Sequence, residues 1–73
     1  MKPGDKIRIK DKWGLLEGCE GTIIKKIDDL YMISLYKGNY RIPQALIEEH
    51  FVFLEERCLE KLIVDVVYLY DLD

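Results

Sequence analysis

The chain is expected to fold as a mainly β domain: five short strands in a small barrel or sandwich, followed by a C-terminal helix or an extra strand. Three observations lead there. Short stretches alternate apolar and polar residues with period two, as in Lys6-Ile7-Arg8-Ile9-Lys10. Tight-turn residues separate them, with Gly14, Gly18 and Gly21 in one loop and Asp28-Asp29 and Lys37-Gly38-Asn39 at two reversals. Finally, 73 residues allow one domain, and a sheet closed on itself removes the exposed edges that so small a β protein would otherwise present.

The elements follow in order. Pro3-Gly4-Asp5 is turn chemistry, and the first strand after it turns Ile7 and Ile9 inward and Lys6, Arg8 and Lys10 outward. Thr22-Ile23-Ile24-Lys25-Lys26-Ile27 is a β-branched second strand. Asp28-Asp29 reverses it into Leu30-Tyr31-Met32-Ile33-Ser34-Leu35-Tyr36, so that the two strands pair as a hairpin. Tyr40-Arg41-Ile42 is expected to be a very short fourth strand, ended by Pro43. Gln44-Ala45-Leu46-Ile47 suits one 3₁₀ turn, and His50-Phe51-Val52-Phe53-Leu54 is the fifth strand.

Leu59, Leu62, Ile63, Val66, Val67 and Tyr70 then fall on one helical stripe, although Ile63, Val64, Val66 and Val67 are β-branched and weaken a helix. Helix is favoured and strand is the alternative. The stripe packs back onto the barrel or against a second copy, so a homodimer is an open outcome. The expected division is a barrel over residues 1–54 and an amphipathic extension over 55–73.

Hydrophobic residues make up 49% and charged residues 34%, too apolar a mix for a disordered chain. The net charge is −3, which disfavours a strongly basic nucleic-acid binder. That charge is unevenly divided. Residues 1–41 carry nine cations and six carboxylates, and residues 42–73 carry two cations and eight carboxylates. No apolar run of signal-peptide or membrane-span length occurs, which gives the expectation of a cytoplasmic, unprocessed chain. Cys19 and Cys58 lie far apart with no CxxC, so both are expected as reduced thiols.

The residues Gly4-Asp5-Lys6-Ile7-Arg8-Ile9-Lys10 and Gly18-Cys19-Glu20-Gly21-Thr22-Ile23-Ile24 resemble the KOW-type SH3-like small barrels. Tyr31-x-Ile33-x-Leu35, Ile42-Pro43 and Leu46-Ile47-Glu48 continue the resemblance, which covers residues 4–54. It implies a five-stranded SH3-like barrel used as a binding module. Barrels of this kind bind RNA or protein in ribosomal and transcription-elongation proteins, and dock a protein as small subunits of photosynthetic and redox complexes.

Two surfaces are candidates. The basic one comprises Lys6, Arg8 and Lys10, with Lys12, Lys25 and Lys26 nearby and the aromatics Trp13, Tyr36 and Tyr40 beside them. Clustered cations neutralise phosphates and aromatics stack on bases or anchor protein contacts. The plainer reading is a solvated sheet face with aromatics capping the barrel ends. The acidic surface, Glu48, Glu49, Glu55, Glu56 and Glu60, suits a basic protein partner better than a cation, because it lacks the spacing of a Ca²⁺ loop. His50 has no recognisable triad spacing to Cys58 or Glu49, and a barrel this small fills its own interior, so no catalytic role and no cofactor are expected. Of the two thiols, Cys19 in the glycine loop is the better candidate for reactivity, with a small buried hydrophobe as the alternative. Protein docking is therefore the first expectation, as an adaptor, small regulatory subunit or inhibitor within a larger complex. RNA or ribonucleoprotein binding is the alternative.

Overall fold

A computed structural model describes residues 1–12, 14–47 and 51–63. The five strands are β1 (Lys6–Ile9), β2 (Glu20–Ile27), β3 (Leu30–Lys37), β4 (Phe51–Glu55) and β5 (Leu59–Lys61). Two 3₁₀ turns, Gln44–Leu46 and Glu56–Cys58, precede and follow β4. All pairings are antiparallel, and the sheet order is β4-β3-β2-β1-β5.

The period-two strands behave as their patterns require. In β1, Ile7 and Ile9 are buried while Lys6 and Arg8 are exposed. In β3, Tyr31, Ile33 and Leu35 are buried and the intervening side chains lie outward. Ile27 pairs with Leu30, so Asp28-Asp29 is a two-residue hairpin loop. Asp28 takes a positive φ of 53°, which Asp tolerates better than most residues. Beyond Ile23 the β2–β3 register shifts by one residue, which carries Lys25 opposite Met32.

Two expectations are corrected. Tyr40, Arg41 and Ile42 form bends, not a strand. The cause is Asn39, whose Oδ1 accepts from the backbone N–H groups of both Arg41 and Ile42 at 2.8 Å. A side chain has taken donors that a strand ladder would use. The beginning of the apolar stripe is strand rather than helix: Leu59 pairs with Ile9 and Lys61 with Ile7. The fifth strand is thus residues 59–61, inside the segment expected as an extension. Val66, Val67 and Tyr70 lie outside the described residues.

β4 and β5 occupy the two ends of the strand order, yet only the three residues Glu56–Cys58 separate them. Five flat strands at a spacing of ~4.8 Å would put those ends ~19 Å apart. One 3₁₀ turn at ~2 Å per residue covers less than half of that. The sheet therefore curls around its apolar side. No ladder joins β4 to β5, so the described sheet is curled and open.

The concave side holds the core: Ile7, Ile9, Cys19, Ile23, Tyr31, Ile33, Leu35, Ile47 and Leu59, with Leu16, Ile42, Val52 and Leu54 packed against it. Cys19 has no exposed surface, so the alternative reading of it, a small buried hydrophobe, holds. Neither cysteine is in a disulfide. Among the described residues, no helix is long and apolar enough to cross a membrane.

Candidate docking surface

The pairing of β1, β2 and β3 brings part of the expected basic surface together. Lys6 stands opposite Thr22, and Thr22 opposite Ser34. The Lys6 ammonium donates to Thr22 Oγ1 at 2.8 Å and lies 5.0 Å from the centre of the Tyr36 ring. Arg8 and Lys37 both reach the Glu20 carboxylate, each at 3.5 Å. The Tyr36 hydroxyl donates to the same carboxylate at 3.4 Å. Partial burial, and then the Glu20 charge, hold the Tyr36 phenol above its ordinary pKa.

Glu20 therefore compensates the centre of this patch. Glu60 on β5 stands opposite Arg8 and adds a second carboxylate. A phosphate approaching Lys6, Arg8 and Lys37 would compete with charges already supplied by the protein.

The remaining cations are dispersed. Lys10 is exposed beyond the end of β1. Lys25 and Lys26 lie three and four residues beyond Thr22, roughly 10–13 Å along the strand. Lys26 sits 5.6 Å from the Tyr31 ring centre. Tyr40, 87% exposed, belongs to the loop after β3, with the Arg41 guanidinium 5.2 Å from its ring centre. Arg41 also donates to the Gly14 carbonyl at 3.3 Å, which ties this loop to the one following β1. Trp13 lies outside the described residues.

Among the described residues, the acidic side chains make separate contacts. Glu55 pairs with Arg57 at 3.0 Å, while Glu56 accepts from the Tyr31 hydroxyl at 3.3 Å. Glu60 lies on β5, opposite Arg8. Glu48, Glu49 and His50 lie outside the described residues. Of the apolar stripe, Leu59 is buried and Leu62 half-buried, whereas Ile63 is exposed.

One feature of the outer face was not singled out from the sequence. Phe51 and Phe53 on β4 stand opposite Ser34 and Met32, on the convex side of the sheet. They are 52% and 49% exposed. Val52 and Leu54 take the inner side and pack on the core. With Tyr36 and Met32 the two phenylalanines form an apolar, aromatic area beside the charge-compensated Lys6–Glu20 patch. The signal available in the sequence was the pair of aromatics at i and i+2. It was silent because the intervening residues are apolar too, so alternation did not say which side faced the core.

Two depressions flank β4. An apolar notch of about 120 Å³ lies at its start, walled by Leu16, Leu35, Ile42, Leu46, Ile47, Phe51 and Val52. A polar groove of about 480 Å³ lies at its end, lined by Lys26, Asp29, Leu30, Glu55, Glu56 and Arg57.

No protein-family model, no curated protein and no solved structure matches this chain.

Proposed function

We propose that the chain is a non-catalytic protein-docking module on an SH3-like barrel scaffold, serving as a small adaptor, regulatory subunit or inhibitor within a larger complex. The scaffold reading draws on the curled antiparallel sheet and on the single 3₁₀ turn that joins its two end strands. The observation that carries the docking reading is the exposed Phe51–Phe53 pair, set on a sheet face with Met32 and Tyr36. Aromatics are favoured anchors of protein contacts because they remove much apolar area from water at little conformational cost. Arg8 and Lys37 beside this area are matched by Glu20, which lowers the desolvation cost of covering them with another protein surface.

The test is crosslinking in native lysate with and without nuclease, using the wild type and a Phe51→Ser/Phe53→Ser double variant. A nuclease-resistant partner lost in the double variant is the expected result. Loss of all partners on nuclease treatment would end the reading.

The second reading is KOW-type RNA or ribonucleoprotein binding, favoured by the Lys6 ammonium over the Tyr36 ring. It requires a mobility shift with RNA that weakens steeply as salt rises and disappears in the Lys6→Glu/Arg8→Glu/Lys10→Glu variant. No shift at low salt disposes of it.

A further inference from the structure

We infer that residues 64–73 bind across the convex face of their own sheet, over the Phe51–Phe53 pair. A partner must then displace them with a segment of the same apolar and acidic chemistry. This rests on the docking reading and names both the regulation of that site and the chemistry of its partner.

The first observation is where the chain leaves β5. The Leu62 N–H donates to the Lys6 carbonyl at 2.8 Å, so the chain stands beside the start of β1 at that point. Lys6 is opposite Thr22, Thr22 opposite Ser34, and Ser34 opposite Phe51. That row crosses the outer face from the exit point to β4. Three strand spacings of ~4.8 Å make it ~14 Å long. The ten residues after Ile63 reach ~33 Å when extended and ~15 Å as a helix. Either conformation spans the row.

The second observation is composition. Seven of the ten are Val, Leu or Tyr, and the other three are Asp65, Asp71 and Asp73. Such a segment gains free energy by removing its apolar area from water. The concave side of the sheet is filled by the core. The convex side offers Met32, Tyr36, Phe51 and Phe53, with both phenylalanines about half exposed.

The third observation is charge. The Lys6 ammonium contacts two neutral groups, the Thr22 hydroxyl and the Tyr36 ring. Arg8 and Lys37, by contrast, meet the Glu20 carboxylate. Lys25 is exposed and stands opposite Met32, on the same outer side. Both lysines border the route from Leu62 to the Phe51–Phe53 pair. A segment with three aspartates and no cation complements them. Asp65 follows Leu62 by three residues, a backbone reach of ~10 Å from the Lys6 carbonyl. Attachment beside the face also gives this segment an effective concentration on the order of millimolar, which favours it over a second copy.

The experiment is zero-length carbodiimide coupling of carboxylates to amines on the full chain, using an equal mixture of unlabelled and isotope-labelled wild-type protein. Peptide mass mapping should find Asp65 or Asp71 joined to Lys6 or Lys25, with both halves of each crosslink from the same isotopic chain. Hydroxyl-radical footprinting of Phe51 and Phe53 is the second measurement. It compares the wild type, Asp65→Lys/Asp71→Lys, Lys6→Glu/Lys25→Glu, and the protein carrying all four substitutions. Labelling should rise roughly threefold in each double variant and return toward the wild-type level when the charges are swapped on both sides. Leu46, 62% exposed and away from this face, should label equally in all four. Circular dichroism verifies that the variants are folded, and the crosslinking needs the wild type alone. Capture of a nuclease-resistant partner should rise in Asp65→Lys/Asp71→Lys. Any of three results overturns the inference: no such crosslink, crosslinks only between isotopically different chains, or labelling indifferent to the charge reversals. If the lysate partner persists when these results are negative, docking stands and only the covering segment falls. If crosslinks and labelling are as expected but no nuclease-resistant partner is captured by either protein, the docking reading falls and displacement by a partner falls with it.

Discussion

The Asn39 carboxamide reaches across 22 residues of sequence to donate to the Glu17 carbonyl at 2.7 Å. The same nitrogen donates to the Leu15 carbonyl at 2.9 Å, while Oδ1 accepts from Arg41 and Ile42. One side chain thus fixes the loop before β2 and the loop after β3, the two segments that wall the apolar notch through Leu16 and Ile42.

From this follows the first expected outcome. Asn39→Ala removes four bonds and leaves two carbonyls to water, at a cost of about 1–3 kcal/mol given the partial exposure of the site. Asn39→Asp restores the acceptors but turns a carboxylate toward two carbonyl oxygens, so it does not rescue. Urea denaturation of the three proteins checks this. Equal stability of the wild type and Asn39→Asp would show that the donor side of the amide contributes nothing.

A second outcome concerns Gly21. A Cβ there would stand 2.5 Å from Ile33 Cγ2 and 2.8 Å from the Ser34 carbonyl oxygen. The oxygen belongs to the paired strand and cannot rotate away. Gly21→Ala should destabilise by about 1–3 kcal/mol, and Gly21→Val by more. At Gly18, with φ of +87° and only an ordinary van der Waals contact to Asn39 Cβ at 3.9 Å, the cost of Ala is conformational alone, about 1–2 kcal/mol. Thermal unfolding of Gly18→Ala and Gly21→Val should therefore show the larger loss at Gly21.

Which parts of this were legible in the sequence follows from how local their causes are. The β2–β3 hairpin was readable because alternation in both strands and Asp28-Asp29 at the loop agree. The first 3₁₀ turn was readable because Pro43 ends extended structure just before it. Residues 40–42 were misread because their backbone donors go to a side chain, and nothing in an apolar–polar pattern reports that. At Leu59–Lys61 the strand alternative prevailed over the helical period, because pairing with β1 outweighs a period that can arise by chance in a β-branched run. Within the basic surface, the Lys6–Tyr36 contact was foreseeable, whereas the neutralising role of Glu20 depends on which strands lie adjacent.

The thiols supply a third outcome. Cys19 is fully buried, and burial pushes its thiol pKa above the ordinary range, so the reactive thiolate is doubly suppressed. Cys58 is only half-buried. Iodoacetamide at mildly alkaline pH should modify Cys58 in the native protein and reach Cys19 only in denaturant, with peptide mass mapping as the readout. Native labelling of Cys19 ahead of Cys58 would contradict the packing described.

The last outcome is the acid limb of stability. The Asp5 carboxylate accepts from the Lys2 backbone N–H at 3.0 Å and lies 3.8 Å from the Lys61 ammonium. The backbone hydrogen bond first, then the Lys61 charge, hold its pKa below the ordinary aspartate value. A carboxyl whose pKa is lower folded than unfolded binds more protons in the unfolded chain, so protonation favours unfolding. Its stabilising contribution is whole above the ordinary aspartate range and is lost as pH falls through that range toward the lowered folded value. Asp5→Asn abolishes this titration. Urea midpoints for wild type and Asp5→Asn should differ at neutral pH, with the wild type more stable, and converge as the solution is acidified below pH ~4. A gap between the two that stays constant down to strong acid would mean that Asp5 acts through shape alone, and that neither the Lys2 bond nor the Lys61 charge selects its ionised form.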